Sequence, residues 1–251
     1  MQNDPVNLIQ VLEHAARFHG EVEIVSRQVE DDGIHRYTYA DALVRTGKLA
    51  NALLRLGMGF GDRVATMAWN TYRHLEAWYA SSGQGAICHT VNPRLFGEQI
   101  QYIINHAEDR ILLVDLSFVP LLEELQDDLP TVEHFIVLTD EAHLPATTLR
   151  NAVAYETLIA AEQEQVQWPS FPEQTPSSLC YTSGTTGNPK GVLYTHRSNL
   201  LHAYAVNSKD VFGLGCNDSV LMVVPMFHAN SWGLAYSCPM VGARMVLPGA
   251  R

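Results

Sequence analysis

Between Tyr181 and Val192 the chain reads Tyr-Thr-Ser-Gly-Thr-Thr-Gly-Asn-Pro-Lys-Gly-Val. Thr182, Ser183, Thr185 and Thr186 bring hydroxyls, Gly184, Gly187 and Gly191 bring backbone freedom, and Lys190 brings a charge. Glycines let the backbone turn so that its N–H groups face one anion. Hydroxyls add donors and can reach a phosphate-bound metal, and Lys190 adds a mobile point charge. The chemistry is that of a loop wrapping a polyphosphate. It is not the common nucleotide-triphosphatase loop, which ends in Gly-Lys-Ser/Thr. Here Pro189 precedes the lysine and Gly191 follows it.

The elements that would position this loop are legible from patterning. Thr38 can cap a helix with Asp41 closing a capping box. Leu43, Ala50, Leu53, Leu54 and Leu56 supply its apolar face, and Gly57 suits its C-terminal end. Strands are expected at 63–69, 86–91, 111–114 and 133–138, and helices at 72–82, 98–107 and 119–125. Asp140 to Ala152 reads as a loop, and Gln163 to Pro176, with three prolines, as a linker. Residues 178–181 read as the strand that delivers the loop, and 197–207 as the helix after it. A strand over 219–224 points at His228, a helix is expected over 230–240, and 243–247 is a last strand with an exposed edge. This alternation predicts an α/β fold, with mainly parallel sheets and helices on both faces. The expected division is a first lobe over 1–165, a linker over 166–176 and the start of a second lobe over 177–251.

Composition narrows the function. With 251 residues and 47% hydrophobic content, the chain can bury a sizeable core. Its net charge of −11 argues against a nucleic-acid partner. Cys88, Cys180, Cys216 and Cys238 are scattered without a Cys-x-x-Cys pair, as for thiols of a reducing compartment. No signal-peptide pattern opens the chain, and no apolar run approaches the roughly 18 residues of a membrane span. A cytoplasmic location is expected.

The run 181–192 resembles the phosphate-loop signature of the adenylate-forming (AMP-binding) superfamily. Leu56-Gly57-Met58-Gly59-Phe60-Gly61-Asp62-Arg63-Val64-Ala65, Asn92-Pro93-Arg94-Leu95, Thr195-His196 and Pro225-Met226-Phe227-His228 resemble further segments of that group. Phe227-His228-Ala229-Asn230-Ser231-Trp232 is most similar to bacterial medium- and long-chain fatty acyl-CoA synthetases. The resemblance runs from about Leu8 to Arg251, the N-terminal half of such an enzyme. It lacks the Thr-Glu segment that supports magnesium, the ribose-holding aspartate, the hinge and the C-terminal lysine.

The resemblance implies an incomplete N-terminal domain of the adenylate-forming fold. It implies ATP, Mg2+ and, as co-substrate, CoA. A carboxylate is joined to AMP and then passed to a thiol. Thr182, Ser183, Gly184, Thr185, Thr186, Gly187 and Lys190 would hold the β- and γ-phosphates, with Thr182 at the metal. His228 would lie beside the reacting carboxylate with Ala229, and Trp232 would gate the acyl path. A neutral imidazole can donate one hydrogen bond to developing charge without adding a full cation. The other ten histidines, His196 and His202 among them, read as ordinary core or surface residues. Met222, Tyr204, Val206 and Met226 would line the acyl tunnel with Trp232, a pattern that equally suits a core. Medium or long fatty acids lead, short acids remain open, and so does a carrier-protein acceptor. A homodimer through the N-terminal lobe, and a nucleotide-binding fragment without turnover, are the remaining expectations.

Overall fold

In the computed structural model, residues 4–182 and 188–250 are described. In chain order the elements are α1 (Ile9–Phe18), β1 (Glu23–Arg27), β2 (Ile34–Thr38), α2 (Tyr39–Arg55), β3 (Arg63–Met67), α3 (Tyr72–Gly83) and β4 (Ile87–Thr90). Then come α4 (Gly97–Ala107), β5 (Ile111–Val114), α5 (Val119–Leu125), β6 (His134–Val137), β7 (Val153–Ala154), α6 (Tyr155–Ala160) and β8 (Pro176–Tyr181). The last are β9 (Gly191–Thr195), α7 (His196–Val206), β10 (Ser219–Leu221), α8 (Leu234–Val241) and β11 (Arg244–Leu247).

Two sheets result. The larger runs β7-β6-β5-β3-β4-β8-β9, parallel except for the last pair. The smaller runs β10-β11-β1-β2, parallel except for β1 with β2. Residues 176–195 thus extend the sheet built by residues 63–154, and residues 219–247 pair with the N-terminal strands. Strand periodicity sorts the side chains of the larger sheet. Ile111 and Leu113 face a core shared with α2, α3 and α6, while Leu112 and Val114 face one shared with α4 and α5. Helices therefore cover both faces, as the alternation in sequence predicts. A third core joins the smaller sheet to α1, α3, α7 and α8. Helix α3 lies between the sheets, and every one of its residues is buried.

Local signals explain the helix starts. Thr38 and Asp41 form the expected capping box, and Thr195 forms one with Ser198. Thr71 accepts from the His74 N–H at the start of α3. Gly57 follows α2 with φ +89°, a left-handed position that glycine adopts without steric cost.

Several expectations are corrected. Leu54 is exposed, and Tyr39, Ala42, Leu49, Ala50, Ala52 and Leu53 make the inner face of α2. The strand over 219–224 ends at Leu221, because Asn70 captures the following carbonyls. The helix over 230–240 starts only at Leu234, since residues 229–233 wind the opposite way. The final strand is not an edge: β11 lies between β10 and β1. Strands β1, β2, β7 and β9 and helices α1 and α6 are elements beyond those expected from the sequence.

Candidate active site

Strand β8 ends at Tyr181, and Tyr181 pairs with Gly191 on antiparallel β9. One residue further, the Thr182 N–H donates to the Lys190 carbonyl at 3.0 Å. The polar run is therefore the connection of a β-hairpin, its mouth closed by Thr182 and Lys190. Both of these residues are exposed. Ser183, Gly184, Thr185, Thr186 and Gly187 lie outside the described residues. At Gly191 the hairpin is closely packed, for a Cβ there would stand 3.2 Å from Leu179 Cδ1 and 3.3 Å from Tyr181 Cζ.

The hairpin mouth stands at the carboxyl end of β8. Segments after β3, β4 and β5 gather at the same end, where open α/β sheets bind ligands. After β3, Asn70 is buried and its side chain holds one segment by three bonds. Its Nδ2 donates to the carbonyls of Met222 (2.7 Å) and Val224 (2.8 Å), and its Oδ1 accepts from the Met226 N–H (2.7 Å). That segment leads into Phe227 and His228. After β4, the Arg94 guanidinium lies 5.8 Å from the centroid of the Phe227 ring. Trp69 meets the same ring at 6.3 Å. After β5, Asp115 Oδ2 accepts from the Trp69 N–H at 2.6 Å. Burial pushes the Asp115 carboxyl up to about 7, against the pull of that hydrogen bond.

His228 and Ala229 are exposed at the end of the Asn70-held segment. From Ala229 to Gly233 the backbone is left-handed at every residue: φ is 44° at Ala229, 53° at Asn230, 50° at Ser231, 55° at Trp232 and 73° at Gly233. For residues other than glycine this conformation costs about 1–2 kcal/mol each, with asparagine the most tolerant. Such a run persists where its surroundings over-determine it. Ser231 Oγ donates to the Val224 carbonyl (2.7 Å), and His202 Nε2 on α7 donates to the Trp232 carbonyl (3.1 Å). Asn230, 4% exposed, accepts from the Cys180 thiol (3.2 Å) and donates to Ser178 Oγ (3.0 Å) and Asn199 Oδ1 (3.4 Å). A Cβ on Gly233 would stand 2.6 Å from the His202 ring, so only glycine closes this turn beside that histidine. Trp232 leaves the turn half exposed, its ring centroid 6.5 Å from that of Phe212.

The structure thus ties the His228–Trp232 turn, through Asn230, to the same strand β8 whose end opens into the hairpin mouth. Of the other expected tunnel residues, Met222, Met226 and Val206 are buried, Met222 and Met226 in one core, while Tyr204 is 61% exposed. His196 is buried, with its Nδ1 accepting from the Leu8 N–H, and burial lowers its pKa to about 4. His74 is likewise neutral, lowered by burial to about 4 between Thr66 and Trp78. Sequence reasoning missed Asn70, Asn230, Asp115 and the part played by His202. Each acts through a contact more than 25 residues away in the chain, and no local pattern marks it. Among the described residues no three His, Cys, Asp or Glu side chains gather as metal ligands, and no helix is long and apolar enough to cross a membrane. Among the described residues of this mouth, the hydroxyl available to a phosphate-bound magnesium ion is that of Thr182.

A mainly parallel α/β domain thus carries a polar hairpin at the end of β8 and a histidine-bearing turn bonded to the same strand, an architecture that fits an adenylate-forming enzyme. The profile of the AMP-binding enzyme family matches residues 11–251, and the chain belongs to that family. It is 48% identical to a 3-methylmercaptopropionyl-CoA ligase of Ruegeria lacuscaerulensis over 250 residues, covering 99% of this chain and 46% of that protein. It is 48% identical to a medium-chain-fatty-acid–CoA ligase of Ectopseudomonas oleovorans, covering 99% of this chain and 45% of that protein. A long-chain-fatty-acid–CoA ligase of Thermus thermophilus is 45% identical, covering 100% of this chain and 44% of that protein. Among solved structures, an anthranilate CoA ligase in complex with anthranoyl-AMP superposes with a TM-score of 0.85 at 25% identity, over 99% of this chain and 46% of that one. A long-chain-fatty-acid-CoA ligase from Archaeoglobus fulgidus gives 0.85 at 22% identity, over 99% of this chain and 48% of that one, and bears on the fold alone. The chain spans about half the length of the curated relatives it matches.

Proposed function

We propose that this chain is the nucleotide- and acid-binding part of an ATP-dependent acid–thiol ligase. The observation that carries the reading is the pairing of the Thr182–Lys190 mouth with the His228–Trp232 turn at one end of one sheet. A carboxylate oxygen attacks the α-phosphorus of ATP, and pyrophosphate leaves with its electron pair. The CoA thiol then attacks the acyl carbon of the acyl-adenylate, AMP leaves, and the thiol proton passes to solvent. Lys190, exposed at the mouth, neutralises charge on the departing pyrophosphate, and the hydroxyls and N–H groups of 182–187 bind its oxygens. His228 donates a hydrogen bond where charge develops on the carboxylate and α-phosphate. A magnesium ion, when bound, supplies further charge neutralisation to the phosphates.

Fatty acids of medium or long chain are the substrate class we favour. The 48% identity to both a medium-chain ligase and a ligase for a short thioether acid supports apolar acids in general. We place the reaction in the cytoplasm, in keeping with the free thiols of Cys88, Cys180 and Cys238. Homodimerisation through the N-terminal segment is part of the same proposal.

The test is ATP–pyrophosphate exchange on the full-length gene product and on residues 1–251 alone, with carboxylic acids spanning short to long chains. Acid-dependent exchange by the gene product establishes adenylation, and the optimum gives the acyl length. Folded protein that exchanges with no acid refutes the ligase reading and leaves nucleotide binding without turnover.

A further inference from the structure

We propose that Asn230 is a positioning residue that couples the hairpin mouth to the Trp232 turn, so that nucleotide and carboxylic acid report on each other through its side-chain amide. The inference rests on the ligase reading above. Asn230 is buried, and its side chain makes three hydrogen bonds, to Cys180, Ser178 and Asn199. Ser178 and Cys180 are alternate residues of β8, so the amide lies along the strand whose next residues open the hairpin mouth. Asn199 Nδ2 in turn donates to Ser177 Oγ (3.0 Å) and Ser178 Oγ (3.2 Å), which holds the same stretch of β8 from α7.

The other fasteners of the turn lead elsewhere. Ser231 Oγ bonds the Val224 carbonyl, and His202 bonds the Trp232 carbonyl. Of these bonds, only those of Asn230 reach β8. Along the chain, Asn230 stands two residues from His228 and two from Trp232, and Cys180 stands two residues from Thr182. A shift of the end of β8, as a ligand seats in the mouth, therefore reaches both functional side chains of the turn through one amide. The left-handed backbone makes the turn responsive, because residues such as Ala229, Ser231 and Trp232 hold it only while their surroundings enforce it. Two arrangements of such a turn, biased by both ligands, are what energetic coupling between sites requires.

The decisive variant is Asn230→Gly. Glycine adopts the left-handed conformation freely, so the backbone is kept while all three side-chain bonds are removed. The dissociation constant of the acid that exchanges best is measured with and without the non-cleavable nucleotide adenosine 5′-(α,β-methylene)triphosphate. The parent is expected to show a ratio of the two constants within the usual coupling range, about 5- to 150-fold. In Asn230→Gly the ratio is expected to fall to within about two-fold of unity, while each ligand alone still binds. A purely structural asparagine would lower the melting temperature or the active fraction and leave the ratio untouched. An unchanged ratio in folded Asn230→Gly, or a parent ratio of one, overturns the inference and leaves the ligase reading standing. A parent without acid-dependent exchange overturns the ligase reading and the inference with it. Should Asn230→Gly not fold, hydrogen exchange on the parent decides: the nucleotide analogue must change protection at amides 230–233, and unchanged protection there refutes the coupling.

Discussion

Replacing Asn70 by alanine strips three hydrogen bonds from the segment that presents His228, and its cost can be worked out bond by bond. The Met226 N–H and the Met222 carbonyl lose the side-chain partner that Asn70 gives them. The Val224 carbonyl keeps a second donor, Ser231 Oγ. A buried polar group left without a partner costs about 1–3 kcal/mol. Two such groups, with water entering part of the vacated volume, give about 2–4 kcal/mol. For a chain of this size that is a fall of about 5–15 °C in the unfolding midpoint. Asn70→Asp sharpens the test. Its carboxylate would face two carbonyl oxygens at neutral pH, and its protonated form would restore one donor. Its folded pKa is therefore raised, so the variant gains stability as pH falls and loses it as pH rises through that pKa. Thermal unfolding by circular dichroism between pH 5 and 8 reads both effects. An Asn70→Ala midpoint within about 2 °C of the parent would refute the account of Asn70 as the holder of this segment.

Asp115 gives a second pH-dependent outcome. Its folded pKa of about 7 lies above the ordinary 3.8, so its contribution is full below about pH 4 and is lost as pH rises through 7. A side-chain amide at this position accepts the same Trp69 N–H without charge, so Asp115→Asn is expected to flatten the stability loss between pH 4 and 7, by up to about 4 kcal/mol; an unchanged pH slope counts against it. Lys190→Ala, at an exposed position, is expected to leave the melting temperature within about 2 °C while lowering pyrophosphate exchange by about 10²–10³-fold; exchange within threefold of the parent removes Lys190 from the mechanism. Trp232→Ala is expected to broaden acyl-length preference in the exchange assay, and an unaltered preference removes the gate. Cleavage within 166–176 is expected to leave two fragments that co-elute on gel filtration, because both contribute strands to the same sheets and Gln84 Nε2 bonds the Gln167 carbonyl; separation of the fragments would favour independent lobes.

The sequence determined much of this protein through short-range physics. The capping box at Thr38–Asp41 and the continuous apolar run of 111–114 place α2 and β5 where the structure has them. The composition of 181–191 marks an anion loop, since hydroxyl, glycine and lysine chemistry is local to that run. The turn at 229–233 was not legible. Asn230, Ser231 and Trp232 lead into an apolar stretch and read as the start of a helix, and the preferences of Ser231 and Trp232 oppose the left-handed path they take. That path exists because Ser178, Cys180 and Val224 supply bonding partners there, and His202 leaves room for no side chain at 233. Edge strand β9 and the two-residue β7 were likewise hidden, since strand pairing depends on a partner elsewhere in the chain. Residue type and spacing set which groups could do chemistry. Only the tertiary structure decided that Asn70 and Asn230, distant in sequence, would hold His228 and Trp232 at the end of the strand that bears the loop, because buried amides take whatever partners the packing brings within reach.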